Sequence, residues 1–108
     1  LGKMLEIIDQ IEAENGVSIP TWGHAGDGNL HIHIMMKNGK EPDNLEKIKE
    51  SIYRKAINIG GVITGEHGIG KTRVKDLPLM YNKTELGLMK RIKEVFDPNS
   101  ILNPDTAI

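Results

Sequence analysis

Cysteine is missing from this 108-residue chain, aromatic residues make up only 4% of it, neither sign of charge prevails, and no long hydrophobic run occurs. Without thiols there can be no disulfide framework and no cysteine-based zinc or iron–sulfur site, so a transition metal would have to be held by imidazole and carboxylate. A single Trp, two Tyr and one Phe leave few of the large side chains that dominate core burial, which bounds the chain at one small domain. Fourteen basic against fifteen acidic residues give a net charge of −1, with no polybasic footprint for nucleic acid and no acidic tail. Apolar runs stop after a few residues, far short of the roughly 20 that span a bilayer, and no signal-peptide layout opens the chain. A cytoplasmic protein without a membrane span is expected. The chain starts at Leu1 rather than Met, and is read as a piece of a longer gene product.

What the sequence does have is histidine in a concentrated form. All four lie in two glycine-rich segments, Gly23-His24-Ala25-Gly26-Asp27-Gly28-Asn29-Leu30-His31-Ile32-His33 and Gly65-Glu66-His67-Gly68-Ile69-Gly70. Around them, Leu1, Met4, Leu5, Ile8 and Ile11 recur at helical spacing before Gly16, which predicts an amphipathic helix over 2–15. After Pro20 the chain is expected to extend. From Asn29 the side chains alternate, placing Leu30, Ile32 and Ile34 on one face of a strand and His31 and His33 on the other. Lys37 to Pro42 reads as a turn, and Asp43 with Glu46 as a capping box for a helix burying Leu45, Ile48, Ile52, Ala56 and Ile59, ended by Gly60-Gly61. Val62-Ile63-Thr64 is expected to be a short strand. Thr84 is expected to cap a last helix with an apolar stripe of Leu88, Met89, Ile92, Val95 and Phe96, stopped at Asp97-Pro98. The order helix, strand, helix, strand, helix predicts an α+β fold, with helices on a largely antiparallel sheet and too few strands for an independent one.

The small residues between His24 and His31 let the turn fold tightly enough to bring both rings together, and Glu66 at the next strand end would stand beside His31. His24, His31 and Glu66 would then form an open metal site of two imidazoles and one carboxylate. Equally, His24 and His31 can be turn and strand histidines bonded to backbone. His67 is a general-base candidate, since imidazole exchanges protons near working pH, or else a ring that orients Glu66. His33 either touches substrate or is a solvated ring. Asp27 and Asn29 are taken as turn formers rather than ligands. A rival lies in the second segment, because Gly65 to Thr72 satisfies the phosphate-binding pattern of glycine, four residues, then Gly-Lys-Thr. Pro78 falls too soon for the long helix that such a loop opens, and no later strand supplies a magnesium-binding Asp.

Three blocks resemble the C-terminal cap domain of FAD-linked oxidases of the vanillyl-alcohol-oxidase superfamily, in the branch of glycolate oxidase flavin subunits, D-lactate dehydrogenases and D-2-hydroxyglutarate dehydrogenase. They are Gly23 to His31, Gly65 to Gly70, and Phe96-Asp97-Pro98-Asn99-Ser100-Ile101-Leu102-Asn103-Pro104. The resemblance implies a ferredoxin-like α+β domain, present here only in its C-terminal part, with the FAD-binding domain of the same chain absent from residues 1–108. It implies FAD and a divalent metal, zinc or manganese, as cofactors, and a small 2-hydroxy acid as substrate. His24, His31 and Glu66 would bind the metal, His67 would serve as catalytic base at the substrate hydroxyl, His33 would contact substrate, and Asn103 in the tail would approach the flavin. A homodimer or electron-transfer subunits are the protein partners it suggests. The family usually continues Asn-Pro with Gly-Lys where this chain has Asp105-Thr106. Lys71 and Arg73 are further candidates for holding an anionic substrate. The alternative reading is a non-catalytic module that binds a metal or a small acid.

Overall fold

The computed structural model describes residues 1–108. Its elements in chain order are α1 (Gly2–Asn15), β1 (Thr21–His24), β2 (Asn29–Ile32), α2 (Leu45–Asn58), a 3-10 helix (Val74–Leu79) and α3 (Lys83–Phe96). They fall into two compact units, Leu1–Gly65 and Glu66–Ile108. No helix is long and apolar enough to cross a membrane.

In the first unit Met4, Ile8 and Ile11, spaced four and three apart, form the buried stripe of α1, while Leu1 and Leu5 stay exposed at its edge. They meet Ile48 and Ile52 of α2 and Ile19 of the connecting segment in one core, against which Leu30, Ile32 and Ile34 pack from the sheet side. The sheet is an antiparallel hairpin whose register pairs Trp22 with His31 and Gly23 with Leu30. Past the strands the pairing is extended by His33 N–H to Pro20 C=O at 3.1 Å and Met35 N–H to Ser18 C=O at 2.9 Å. The expected face alternation is present, and the fold is the expected α+β arrangement of helices on an antiparallel sheet.

Chain ends of helices follow local chemistry. Gly16, at φ 61°, closes α1. Gly60, at φ 85°, closes α2 with Gly60 N–H on Ile57 C=O and Gly61 N–H on Ala56 C=O, each at 2.9 Å. Asn38 and Gly39, both at positive φ, turn the chain between Lys37 and Lys40. The capping box expected at Asp43 and Glu46 does not form. Asn44 is the residue at the N-terminus of α2, and its amide donates instead to Asn15 Oδ1 at 2.8 Å, tying the start of α2 to the end of α1. Val62–Thr64 is not a strand either. Ile63 is buried, and its apolar side chain anchors this segment between the Gly60-Gly61 exit and Gly65.

In the second unit Leu77 of the 3-10 helix is buried. Asn82, not Thr84, caps α3: its side chain accepts from Thr84 N–H at 2.9 Å and Glu85 N–H at 3.0 Å, while Glu85 accepts from Asn82 N–H at 2.7 Å. Asn82 wins because it stands three residues before a glutamate, the spacing at which both bonds close. The apolar stripe of α3 is not a core stripe, for Leu88, Ile92, Val95 and Phe96 are exposed. Buried Asp97 accepts from Ile101 N–H and Leu102 N–H, each at 3.0 Å, and folds the tail into a turn. Ala107 N–H then bonds Gly70 C=O at 2.8 Å. The phosphate-loop alternative fails here, since no strand precedes Gly65 and no α-helix starts at Lys71-Thr72; a 3-10 helix begins at Val74.

Ile11 is 0% exposed, so Ile11→Ala is expected to lower unfolding free energy by about 2–5 kcal/mol in denaturant titration. A Cβ at Gly23 would lie 2.0 Å from the Asn29 carbonyl oxygen, a backbone atom that cannot swing away. Gly23→Ala is therefore expected to break the hairpin register, seen as loss of amide protection across β1 and β2 in hydrogen exchange.

Candidate functional site

The outward face of the hairpin is built by alternation. Because Leu30, Ile32 and Ile34 turn to the core, His31 and His33 must turn away, and on the opposite strand Trp22 and His24 share that outward side. The connecting turn is tight, with Asp27 N–H bonded to His24 C=O at 3.1 Å and Gly28 at φ 66°. The rings of His24 and His31 consequently stand 5.8 Å apart, edge to face at 77°. Asp27 serves the turn through its backbone, as expected of a turn former.

Asn29 then brings in the second glycine-rich segment. Its carbonyl fills the place of a Cβ at Gly23, and its side-chain amide fills the place of a Cβ at Gly65, where the nearest atom, Oδ1, would be only 2.4 Å away. Glu66 follows Gly65 by one peptide bond, which limits its Cα to about 3.8 Å from that of Gly65. One potential ligand atom from each of His24, His31 and Glu66 lies within 4.8 Å of the other two. His31 is half-buried and the other two are exposed.

This donor set is chemically suited to a divalent ion. Nitrogen and carboxylate ligands at about 2.0–2.2 Å from a tetrahedral centre are separated from one another by about 3.4 Å, inside the 4.8 Å within which these atoms lie. Two imidazoles and one carboxylate leave at least one coordination position for another ligand. The three residues expected as ligands thus come together.

The other expected site residues are placed differently. His67 Nε2 is 3.7 Å from Glu66 Oε1, with both side chains at least half exposed, at 64% and 50%. His33 does not join the three donors; its ring lies against Trp22, with centroids 4.3 Å apart. Arg73 reaches back to Gly68 C=O at 3.2 Å, bracing the glycine-rich loop, whereas Lys71 is exposed. Asn103 is exposed at φ 44°, its carbonyl accepting from Lys93 Nζ at 3.4 Å. Sequence reasoning overlooked Trp22, although its position two residues before His24 on an extended segment was signal enough to place it on the histidine face. It also took Asn29 as a turn former only, and nothing in the sequence marks Gly65 as the residue beneath its side chain.

The family described as FAD linked oxidases, C-terminal domain, matches residues 1–107. The glycolate oxidase subunit GlcD of Bacillus subtilis (strain 168) is 42% identical over 106 residues, covering 96% of this chain and 23% of that protein. A D-lactate dehydrogenase of Anaerostipes hadrus is 38% identical over 107 residues, covering 96% of this chain and 22% of the relative. The D-2-hydroxyglutarate dehydrogenase of Stutzerimonas stutzeri (strain A1501) is 33% identical over 113 residues, with 96% and 24% covered. The chain therefore spans less than a quarter of the length of the relatives it matches. A match that takes in nearly every residue, the histidine hairpin and the Gly65–Gly70 loop included, places this chain in the family of FAD linked oxidase C-terminal domains.

Proposed function

We propose that this chain is the metal- and substrate-bearing C-terminal part of an FAD-dependent 2-hydroxy-acid dehydrogenase of the glycolate or D-lactate type. The observation that carries the reading is the convergence of His24, His31 and Glu66, in a chain whose relatives are named for the oxidation of 2-hydroxy acids. When bound, a zinc or manganese ion supplies Lewis acidity toward hydroxyl and carboxylate oxygens, and FAD supplies a two-electron acceptor.

The chain's own side chains then have separable tasks. His24, His31 and Glu66 hold the ion. His67, next in sequence to a ligand and 3.7 Å from its carboxylate, receives the hydroxyl proton on its imidazole. Arg73 steadies the loop that carries His67 through its bond to the Gly68 carbonyl, and exposed Lys71 and His33 are the groups available to an anionic substrate. Asn103 is the tail residue assigned to the flavin.

A further observation supports a larger protein around this part. Leu88, Ile92, Val95 and Phe96 of α3 and the following Ile101 and Leu102 are all exposed, an apolar surface of the kind that soluble proteins cover. Since the chain spans under a quarter of its relatives, the occupant is the FAD-binding part of the same polypeptide, in a cytoplasmic enzyme.

Elemental analysis and turnover of the full-length protein test the assignment together. His24→Ala, His31→Ala and Glu66→Gln are expected to lose the bound ion and activity in parallel. His67→Ala is expected to keep the ion while kcat falls by roughly 10²–10⁴, the range for a general base. Full activity in a metal-replete preparation that contains no bound ion overturns the ligand set; an ion retained without any turnover in the wild-type protein leaves a binding module.

A further inference from the structure

Four rings run along the outward face of the hairpin in an unbroken series of contacts. His33 and Trp22 have centroids 4.3 Å apart with planes tilted by 33°. Trp22 and His31 are 6.1 Å apart and near parallel, at 20°. His31 meets His24 edge to face at 5.8 Å. The register produces this order, because Trp22 is directly opposite His31 across the ladder while the other two contacts are diagonal, within the reach of aromatic side chains.

The indole is not buried for its own sake. At 53% exposed it adds little to the core, and the rings it touches are histidines. For a histidine to ligate, its ring must turn so that a nitrogen lone pair aims at the ion. The torsion that sets this, between a tetrahedral and a planar carbon, has broad wells and little preference of its own. Neighbours decide it. Among the neighbours of His31 on the hairpin face are Trp22, lying along its plane, and His24, meeting it edge-on.

We propose that Trp22 is a positioning residue of the metal centre: its indole, held in turn by His33, restricts the His31 ring to the orientation that directs a nitrogen toward the point shared with His24 and Glu66. The inference rests on the metal reading of those three residues. Trp22 contributes no ligand. It removes rotational freedom that His31 would otherwise lose on binding the ion, so its effect appears in ion affinity, as for other groups that orient ligands from behind. The same geometry gives His33 a structural task on this face besides any contact with substrate.

The test is zinc affinity of the full-length protein by competition with a chelator, alongside the visible spectrum of the cobalt-substituted protein, which reports ligand geometry. Trp22→Ala is expected to weaken zinc binding by about 10-fold, the lower end of the range for outer partners of metal ligands, and to alter the cobalt spectrum. Trp22→Phe, which keeps a flat ring, is expected to stay close to the wild-type protein, and Trp22→Leu, apolar but not planar, to resemble Trp22→Ala. Should Trp22→Ala fail to fold, the comparison of Leu with Phe decides. Wild-type affinity in both the Ala and Leu variants, or a Phe variant as weak as Leu, overturns the positioning role. If His31→Ala abolishes binding while these variants bind normally, only this inference falls. A wild-type protein that binds neither zinc nor cobalt removes the metal reading and the inference with it.

Discussion

Asn29 is the point on which the candidate site depends. Its backbone carbonyl occupies the space of a side chain at Gly23, and its amide occupies that of a side chain at Gly65. Two absent Cβ atoms thus let the backbone of Asn29 close on Gly23 and its side chain close on Gly65 more tightly than any other residue type at those two positions allows. The first approach keeps β1 and β2 tight enough for the rings of His24 and His31 to touch; the second seats Gly65, so that Glu66 starts within one peptide length of that position. Asn29 is not one of the three donors; together with buried Ile63 it fixes the backbone from which Glu66 departs.

The hairpin that carries these contacts cannot sustain itself, for two strands alone are marginal in water. It is anchored by its inner face. Leu30, Ile32 and Ile34 pack on a core made by Met4, Ile8 and Ile11 of α1 with Ile48 and Ile52 of α2, and strict alternation converts that anchoring into the outward placement of His31 and His33. A one-residue slip in register would exchange the two sets and bury imidazole in place of isoleucine. The geometry of the site is therefore a consequence of core packing several residues away from it.

Much of this was legible because it is periodic. The α1 stripe, the alternation after Asn29 and the glycine stop at Gly60 each rest on a local rule that tertiary context did not override. Val62–Thr64 was misread because a three-residue apolar run has no period to measure. At the start of α2 the expected Asp43–Glu46 box gives way to Asn44, whose amide bonds Asn15, 29 positions away, and no local rule contains that partner. Asn82 caps α3 in place of Thr84 because Glu85 stands three residues after it, the spacing at which both bonds of a capping box close. The α3 stripe is apolar as expected and lies exposed, since amphipathicity states which face wants a partner and not whether these 108 residues provide one. Gly65 to Thr72 shows the converse: a pattern matched in every position and still did not signify a phosphate loop, because the meaning of that pattern lies in the strand before it and the helix after it.

Exposure at the donors has a chemical consequence of its own. On the proposed reading, an ion on an open hairpin face would act between the limits of bulk water, where two unit charges 4 Å apart interact by about 1 kcal/mol, and a protein surface, where they interact by about 4 kcal/mol, and enclosure would strengthen it further. Polarising a hydroxyl so that an imidazole can take its proton is most effective in a site from which water is excluded. His24, Glu66 and His67 are exposed as they stand, so on the proposed reading an ion at these donors would stand open to solvent. On the proposed reading, the remainder of the polypeptide has to supply water exclusion as much as it supplies the flavin.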